Sequence, residues 1–77
     1  MMIPRYHINL FWSADDDCWI ADVPDLPGCS AHGGDAAEAA KEAQIAIQLW
    51  IDVATDAGDP VPEPRYRPAI YALRQAA

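Results

Sequence analysis

Positive charge is scarce in this chain: five Lys and Arg stand against twelve Asp and Glu, a net charge of −7. A nucleic-acid footprint of several phosphate contacts needs several cations gathered in one place. Here Arg5 and Lys41 share residues 1–64 with all twelve acids, while Arg65, Arg67 and Arg74 fall in an acid-free tail. No direct contact with nucleic acid is expected. The acidic body suits a basic protein partner reached by electrostatic steering, although the same charge also serves plain solubility. Cysteine is equally sparse, and Cys18 and Cys29 cannot build the dense disulfide framework of small secreted domains. No apolar run approaches the ~18 residues of a membrane span. Met1-Met2-Ile3-Pro4-Arg5 has no apolar leader core, so the expectation is a cytoplasmic protein with no membrane partner. Gly33-Gly34 precedes a helix, but Asp35 and Glu38 behind it would repel a phosphate, which excludes a phosphate loop.

What is abundant is apolar surface. The 77 residues, read as a single domain over 1–77, are 52% hydrophobic and include three Trp. A chain this short buries only roughly 60% of its unfolded surface. Small domains are completed by disulfides, metal or self-association, and self-association is the expectation here.

The stretch Val23-Pro24-Asp25-Leu26-Pro27-Gly28-Cys29-Ser30-Ala31-His32-Gly33-Gly34-Asp35 separates two hydrophobic periods. Before it, apolar residues recur at every second position, and after it at three and four. Each proline fixes its own φ and restricts its predecessor, so Pro24 to Gly28 forms a stiff corner. Gly28 can adopt the positive φ of a type II turn after Pro27. Ahead of the corner, Tyr6, Ile8, Leu10 and Trp12 share one face of a strand over about 5–12. Ser13–Asp17 is a turn, and a strand over about 18–23 returns with Trp19, Ala21 and Val23 on one side. A third strand spans about 28–33. Asp35 and Glu38 form a capping box for a helix over 35–57, which Gly58 and Pro60 stop. Its apolar stripe is Ala39, Ala43, Ala46, Ile47, Trp50, Ile51 and Ala54, with Lys41, Gln44, Gln48, Asp52 and Thr55 behind. Ile45 and Leu49 lie on the flank, where a second contact surface would be. The Pro-rich segment 59–64 stiffens the route back across the domain. Pro68 starts either a short C-terminal helix over about 68–76 or an edge strand at 69–73. The fold class is α+β: a three-stranded antiparallel sheet packed on one long helix.

No constellation for catalysis emerges. His7, Cys18, Cys29 and His32 lack the paired spacing of a zinc site, and Cys29 and His32 fall on opposite faces of one strand. A Cys–His nucleophile lacks an orienting third group. Asp15-Asp16-Asp17 lacks the alternating ligands, central Gly and distant Glu of a calcium loop. No metal or other cofactor is expected, and the chain is not read as an enzyme.

Several blocks together carry a family resemblance. They are Tyr6-His7-Ile8, the acidic turn Asp15–Asp17, Trp19–Val23, and Val23-Pro24-Asp25-Leu26-Pro27-Gly28-Cys29. They continue through His32-Gly33-Gly34-Asp35 into Glu38-Ala39, the helix with Ala46, Ile47 and Trp50, then Gly58 and Pro60-Val61-Pro62-Glu63-Pro64. Over about residues 5–65 the chain resembles the HicB-like antitoxins of bacterial toxin–antitoxin pairs. The resemblance implies a partial RNase-H-like domain that self-associates as a dimer or tetramer. It also implies binding to a small basic HicA-like mRNA interferase, the toxin, so that its catalytic histidine is blocked. Two departures stand out: Ala36 occupies the place where the family usually has Thr, and the C-terminal DNA-binding module of many members has no counterpart here.

The expected contact residues follow. Trp12, Asp15, Asp16 and Asp17 at the hairpin tip would meet the basic partner, while Ile45 and Leu49 would serve self-association. The alternatives are that Trp12 caps the core and that the flank touches the C-terminal helix. As to function, the alternative is a stand-alone oligomeric structural or ligand-binding module with no toxin partner.

Overall fold

A computed structural model describes residues 5–68. Strands β1 (Asn9–Ser13), β2 (Cys18–Asp22) and β3 (Ser30–Gly33) are followed by helix α1 (Ala36–Ala57). The strands form an antiparallel sheet in the order β1-β2-β3, so among the described residues β1 and β3 are its edges. The α+β class and the arrangement of one sheet with one long helix match the sequence reading. The C-terminal helix expected over about 68–76 lies, apart from Pro68, outside the described residues.

The register follows from the alternation. Trp12 pairs with Trp19 and Leu10 with Ala21, while Trp19 and Ala21 pair with Gly33 and Ala31. Directly opposed residues share a face, so Leu10, Trp12, Trp19, Ala21, Ala31 and Gly33 all point toward α1. Asn9, Phe11, Cys18, Ile20, Ser30 and His32 form the outer face. The turn between β1 and β2 has four residues, 14–17, because Ser13 still pairs with Cys18. Asp17 takes the left-handed φ of 53° that this tight reversal needs, a conformation Asp tolerates better than most residues.

The strands are shorter than their hydrophobic patterns, for one reason. The β1–β2 ladder ends at Asn9 opposite Asp22. The next partners for Ile8 and His7 would be Val23 and Pro24, where the chain has already entered the corner. The Val23 amide makes the last contact on the β3 side, to the Cys29 carbonyl at 3.0 Å, and Pro24, which has no N–H, then turns the chain away from β1. So β1 begins at Asn9 rather than near residue 5, and β2 stops at Asp22. Gly28 and Cys29 complete the corner, so β3 starts at Ser30 rather than at 28.

The corner itself is two successive turns. Leu26 N–H donates to Val23 C=O at 3.1 Å, and Cys29 N–H to Leu26 C=O at 3.0 Å. The second has Pro27 and Gly28 at its centre with Gly28 at φ 76°, the type II geometry that only a residue tolerating positive φ accepts.

Helix α1 is fixed at both ends. Asp35 has extended backbone and its carboxylate accepts from the Glu38 amide at 2.7 Å. Glu38 reaches back one residue further than in the usual capping box, accepting from Gly34 N–H at 2.8 Å. At the other end Gly58, φ 75°, sends its N–H to Thr55 C=O at 3.1 Å, and Asp59 N–H bonds Ala54 C=O at 2.8 Å. This Schellman closure satisfies carbonyls that would otherwise be orphaned.

Two apolar clusters join helix to sheet. Small residues meet at one end, where Ala21, Ala39 and Ala43 are fully buried with Trp19, Ala31 and Ile8 around them. Gly33 belongs to this close approach, since a Cβ there would lie 2.5 Å from Ala39 N and 2.9 Å from Glu38 C. Larger residues fill the end beside the corner, where Tyr6, Val23, Leu26, Cys29 and Ile47 are buried against Ile8, Ala46, Trp50 and Ile51. The expected helix stripe is therefore the buried one.

Candidate functional site

The expected contact residues lie on exposed surfaces built on this frame, and these make up the candidate site. The first is the hairpin tip. Trp12 meets Trp19 edge to face at 6.3 Å between centroids, a favourable aromatic geometry, yet it stays 47% exposed. Leu10, on the same face, is also exposed. Both are uncovered because α1 lies chiefly over β3 and β2. Beside them Asp15, Asp16 and Asp17 face solvent. Ser13 Oγ donates to the Asp16 carboxylate at 3.0 Å and accepts from the Asp16 amide at 3.2 Å, which holds the acidic turn in shape. The tip thus sets an indole and Leu10 next to three carboxylates, as a cationic surface with an apolar centre would require.

The second surface is the helix flank. Ile45 is 56% and Leu49 63% exposed, and Val53, one turn further on, is 60% exposed. Ile45 and Leu49 line one shallow hollow with Gln44, Gln48 and Asp52, and another with Ser30, Ala31 and His32 of β3. The flank therefore overhangs β3, with Glu38 and Glu42 lining the same hollow. Reading the flank as the pair 45 and 49 leaves out Val53. The continuing interval of four was the available signal.

The family-motif residues do a different job: they make the joint between corner, helix and tail. Pro24, Leu26, Pro27, Gly28 and Cys29 build the corner. Trp50 of α1 donates from Nε1 to Pro27 C=O at 3.0 Å. Gly33 admits the helix, Glu38 caps it and Gly58 ends it. The Tyr6 hydroxyl donates to Pro62 C=O. Pro64 is exposed one residue before the point where the tail is gripped: the Asp25 carboxylate accepts from Arg65 N–H at 3.0 Å and Tyr66 N–H at 3.1 Å. Tyr66 leans on His7 with centroids 4.7 Å apart. Sequence reading did not find Asp25 as the anchor, because a carboxylate serving amides forty residues away leaves no local pattern.

The remaining candidates for chemistry resolve into packing. Cys29 is a core residue whose thiol is pushed up from its usual value, first by burial and then by Asp22. That direction opposes nucleophilic activation. Cys18 is half-buried on the outer face and lines a shallow recess with Asp16, Ile20 and His32. Tyr6 is likewise held in its neutral form, by burial first and then by Glu63 and Asp25. Among the described residues no group of three or more His, Cys, Asp or Glu is placed to hold a metal ion. No helix among them is long and apolar enough to cross a membrane.

Comparison with known proteins agrees with this frame. Residues 6–74 match the family described as the HicB-like antitoxin of bacterial toxin–antitoxin systems. No curated protein and no solved structure matches the chain. Because the match runs through strands, corner, helix and tail alike, the chain belongs to the HicB-like antitoxin family.

Proposed function

We propose that this protein is an antitoxin that binds and neutralises a small basic HicA-like mRNA interferase in the cytoplasm through protein–protein contacts, without catalysis of its own. The observation that carries the reading is the family match over residues 6–74. A charge of −7 on 77 residues adds physical support, since it draws a cationic partner and repels the RNA that partner cuts. In this reading Trp12, Leu10 and Asp15–Asp17 at the hairpin tip meet the toxin. Ile45 and Leu49 hold copies of the antitoxin together. The partial RNase-H-like sheet acts as a platform only.

Co-expression tests the proposal. A short basic protein encoded beside this one should arrest growth alone, and this chain should relieve the arrest and co-purify with it. Replacing Asp15, Asp16 and Asp17 by Asn should weaken the complex by about tenfold or more and make what remains less sensitive to salt. A toxic neighbour that is neither bound nor relieved would sink the antitoxin reading and leave the stand-alone oligomeric module.

A further inference from the structure

We infer that the β1–β2 hairpin enters a cleft of its basic partner tip first, so that both faces are covered and Phe11 and Ile20 become contact residues beside Leu10 and Trp12. This rests on the antitoxin reading above and deepens it by naming the mode of contact: the hairpin takes the place of RNA in the toxin.

Three consecutive residues of β1 point to this. Leu10 is 41%, Phe11 49% and Trp12 47% exposed. One exposed large apolar side chain is ordinary. Successive strand residues point to opposite faces, so three in a row leave both faces of the strand uncovered. The register doubles the effect. Trp12 opposes Trp19 on the face toward α1, and Phe11 opposes Ile20 on the outer face. A cross-strand apolar pair therefore stands on each side. On the inner side α1 lies chiefly over β3 and β2 and leaves Leu10 and Trp12 open. On the outer side no helix or strand among the described residues lies over Phe11 and Ile20. A partner lying flat against either face would leave the other pair in water. A cleft covers both.

Charge identifies that cleft. From Asn9 to Asp22 the hairpin carries Asp15, Asp16, Asp17 and Asp22 and no basic residue. The carboxylates alone would describe only a solvated turn. Joined to an apolar pair on each face, they make a ribbon with negative charge at its end and flat rings along its sides. An enzyme that cuts RNA needs a cleft of the opposite character, with cations for phosphates and flat apolar surfaces for bases. The hairpin offers carboxylates in place of the phosphates and the Trp12 and Phe11 rings in place of the bases. It is also preformed. Ser13 Oγ holds the Asp16 carboxylate and amide at 3.0 and 3.2 Å, and Trp12 meets Trp19 edge to face, so little ordering is needed on entry.

Cys18 gives the outer face a reporter. It is half-buried there, in a recess lined by Asp16, Ile20 and His32, whereas Cys29 is in the core. Alkylation of the full chain with iodoacetamide, read by mass spectrometry of the two cysteine peptides, should be faster at Cys18 than at Cys29. Adding the short basic protein encoded beside this one should slow Cys18 by at least about tenfold. Phe11→Thr and Ile20→Thr, shown to be folded by circular dichroism, should each weaken the complex by about tenfold or more, as should Leu10→Thr. A 2′-O-methyl oligoribonucleotide should displace the antitoxin from the toxin. Suppose the toxin is bound and relieved, yet Cys18 reacts at its free rate and Phe11→Thr and Ile20→Thr bind like the wild type. That would overturn the inserted hairpin and leave the antitoxin reading standing. A toxin that holds antitoxin and oligoribonucleotide together would do the same. A Cys18 as slow as Cys29 in the free chain, or slowed by raising the antitoxin concentration alone, would also overturn it, since the chain's own tail or a second copy would then cover the outer face. A neighbour that is neither bound nor relieved removes the antitoxin reading itself, and this mode of contact with it.

Discussion

Two neighbouring glycines should respond to the same substitution with opposite sign. At Gly33 a methyl group would sit 2.5 Å from Ala39 N and 2.9 Å from Glu38 C, both backbone atoms in the first turn of α1. Ordinary contact begins near 3.4 Å, so the helix start would have to retreat by roughly 1 Å. That turn cannot retreat alone. Asp35 and Glu38 pin it through two short hydrogen bonds, and Ala39 and Ala43 are fully buried on the sheet behind it. Overpacking of this kind costs about 1–3 kcal/mol, and disturbing the cap adds about 1 kcal/mol. The stiffer unfolded chain returns about 0.4–1 kcal/mol. Gly33→Ala should therefore lose about 1–3.5 kcal/mol, a fall in Tm of roughly 4–28 °C for a domain of this size. At Gly34 the nearest atom to the added carbon is the flexible Glu38 carboxylate at 3.9 Å, and its backbone φ is not left-handed. Gly34→Ala should be neutral or stabilising by a few tenths of a kcal/mol. Thermal and urea melts at fixed protein concentration measure both. If Gly33→Ala melts within about 0.5 kcal/mol of the wild type, the close approach of helix to sheet is wrong.

Other expectations follow from the same geometry. Asp35→Ala should cost about 1 kcal/mol through loss of the 2.7 Å bond to Glu38 N–H, read as a Tm lower by roughly 4–8 °C; an unchanged melt would mean that the cap does not hold the helix start. Gly28→Ala meets no atom within 4 Å yet sits at φ 76°, so it should lose about 1–2 kcal/mol from backbone strain alone. Asn at the same position should recover much of that loss, and an equal penalty for both would point to some other cause. Alkaline pH should weaken the fold. Tyr6 and Cys29 are both held neutral above their ordinary values of 10.0 and 9.0, chiefly by burial. The folded state then keeps protons that the unfolded chain releases, so their contribution is complete below pH 9 and declines as pH rises through 9 and 10. Urea midpoints should fall across that range, and Tyr6→Phe should flatten the upper part. A level profile from about pH 8 to about pH 11 would refute it.

The parts of this fold that were legible in the sequence are those whose causes are local. Asp35, Glu38 and Gly58 fix the helix ends within a few residues of themselves, and Pro27-Gly28 dictates its turn without help from elsewhere. The buried stripe from Ala39 to Ala54 is a matter of period. What escaped is tertiary. The strand limits depend on where the corner removes a partner strand, not on the alternation of Tyr6 and Ile8. In the sequence Gly33 only precedes the helix, whereas its larger role is to lack a side chain under Ala39. Trp12, expected either to meet a partner or to cap the core, stays about half exposed. It shares an edge-to-face contact with Trp19 and is left half open because α1 lies over the far strands. The exposure of Ile45 and Leu49 was foreseen, but that they overhang β3 required the fold.

Asp25 grips the tail through two solvent-facing amide bonds, whereas helix and sheet are held by fully buried contacts. These two attachments have unequal strength, and so the molecule has an order in which it comes apart. Residues 59–66 can peel away with the loss of a few exposed bonds and the covering of Tyr6, while the sheet and α1 stay closed. The strap is thus a latch over the corner rather than a beam within it.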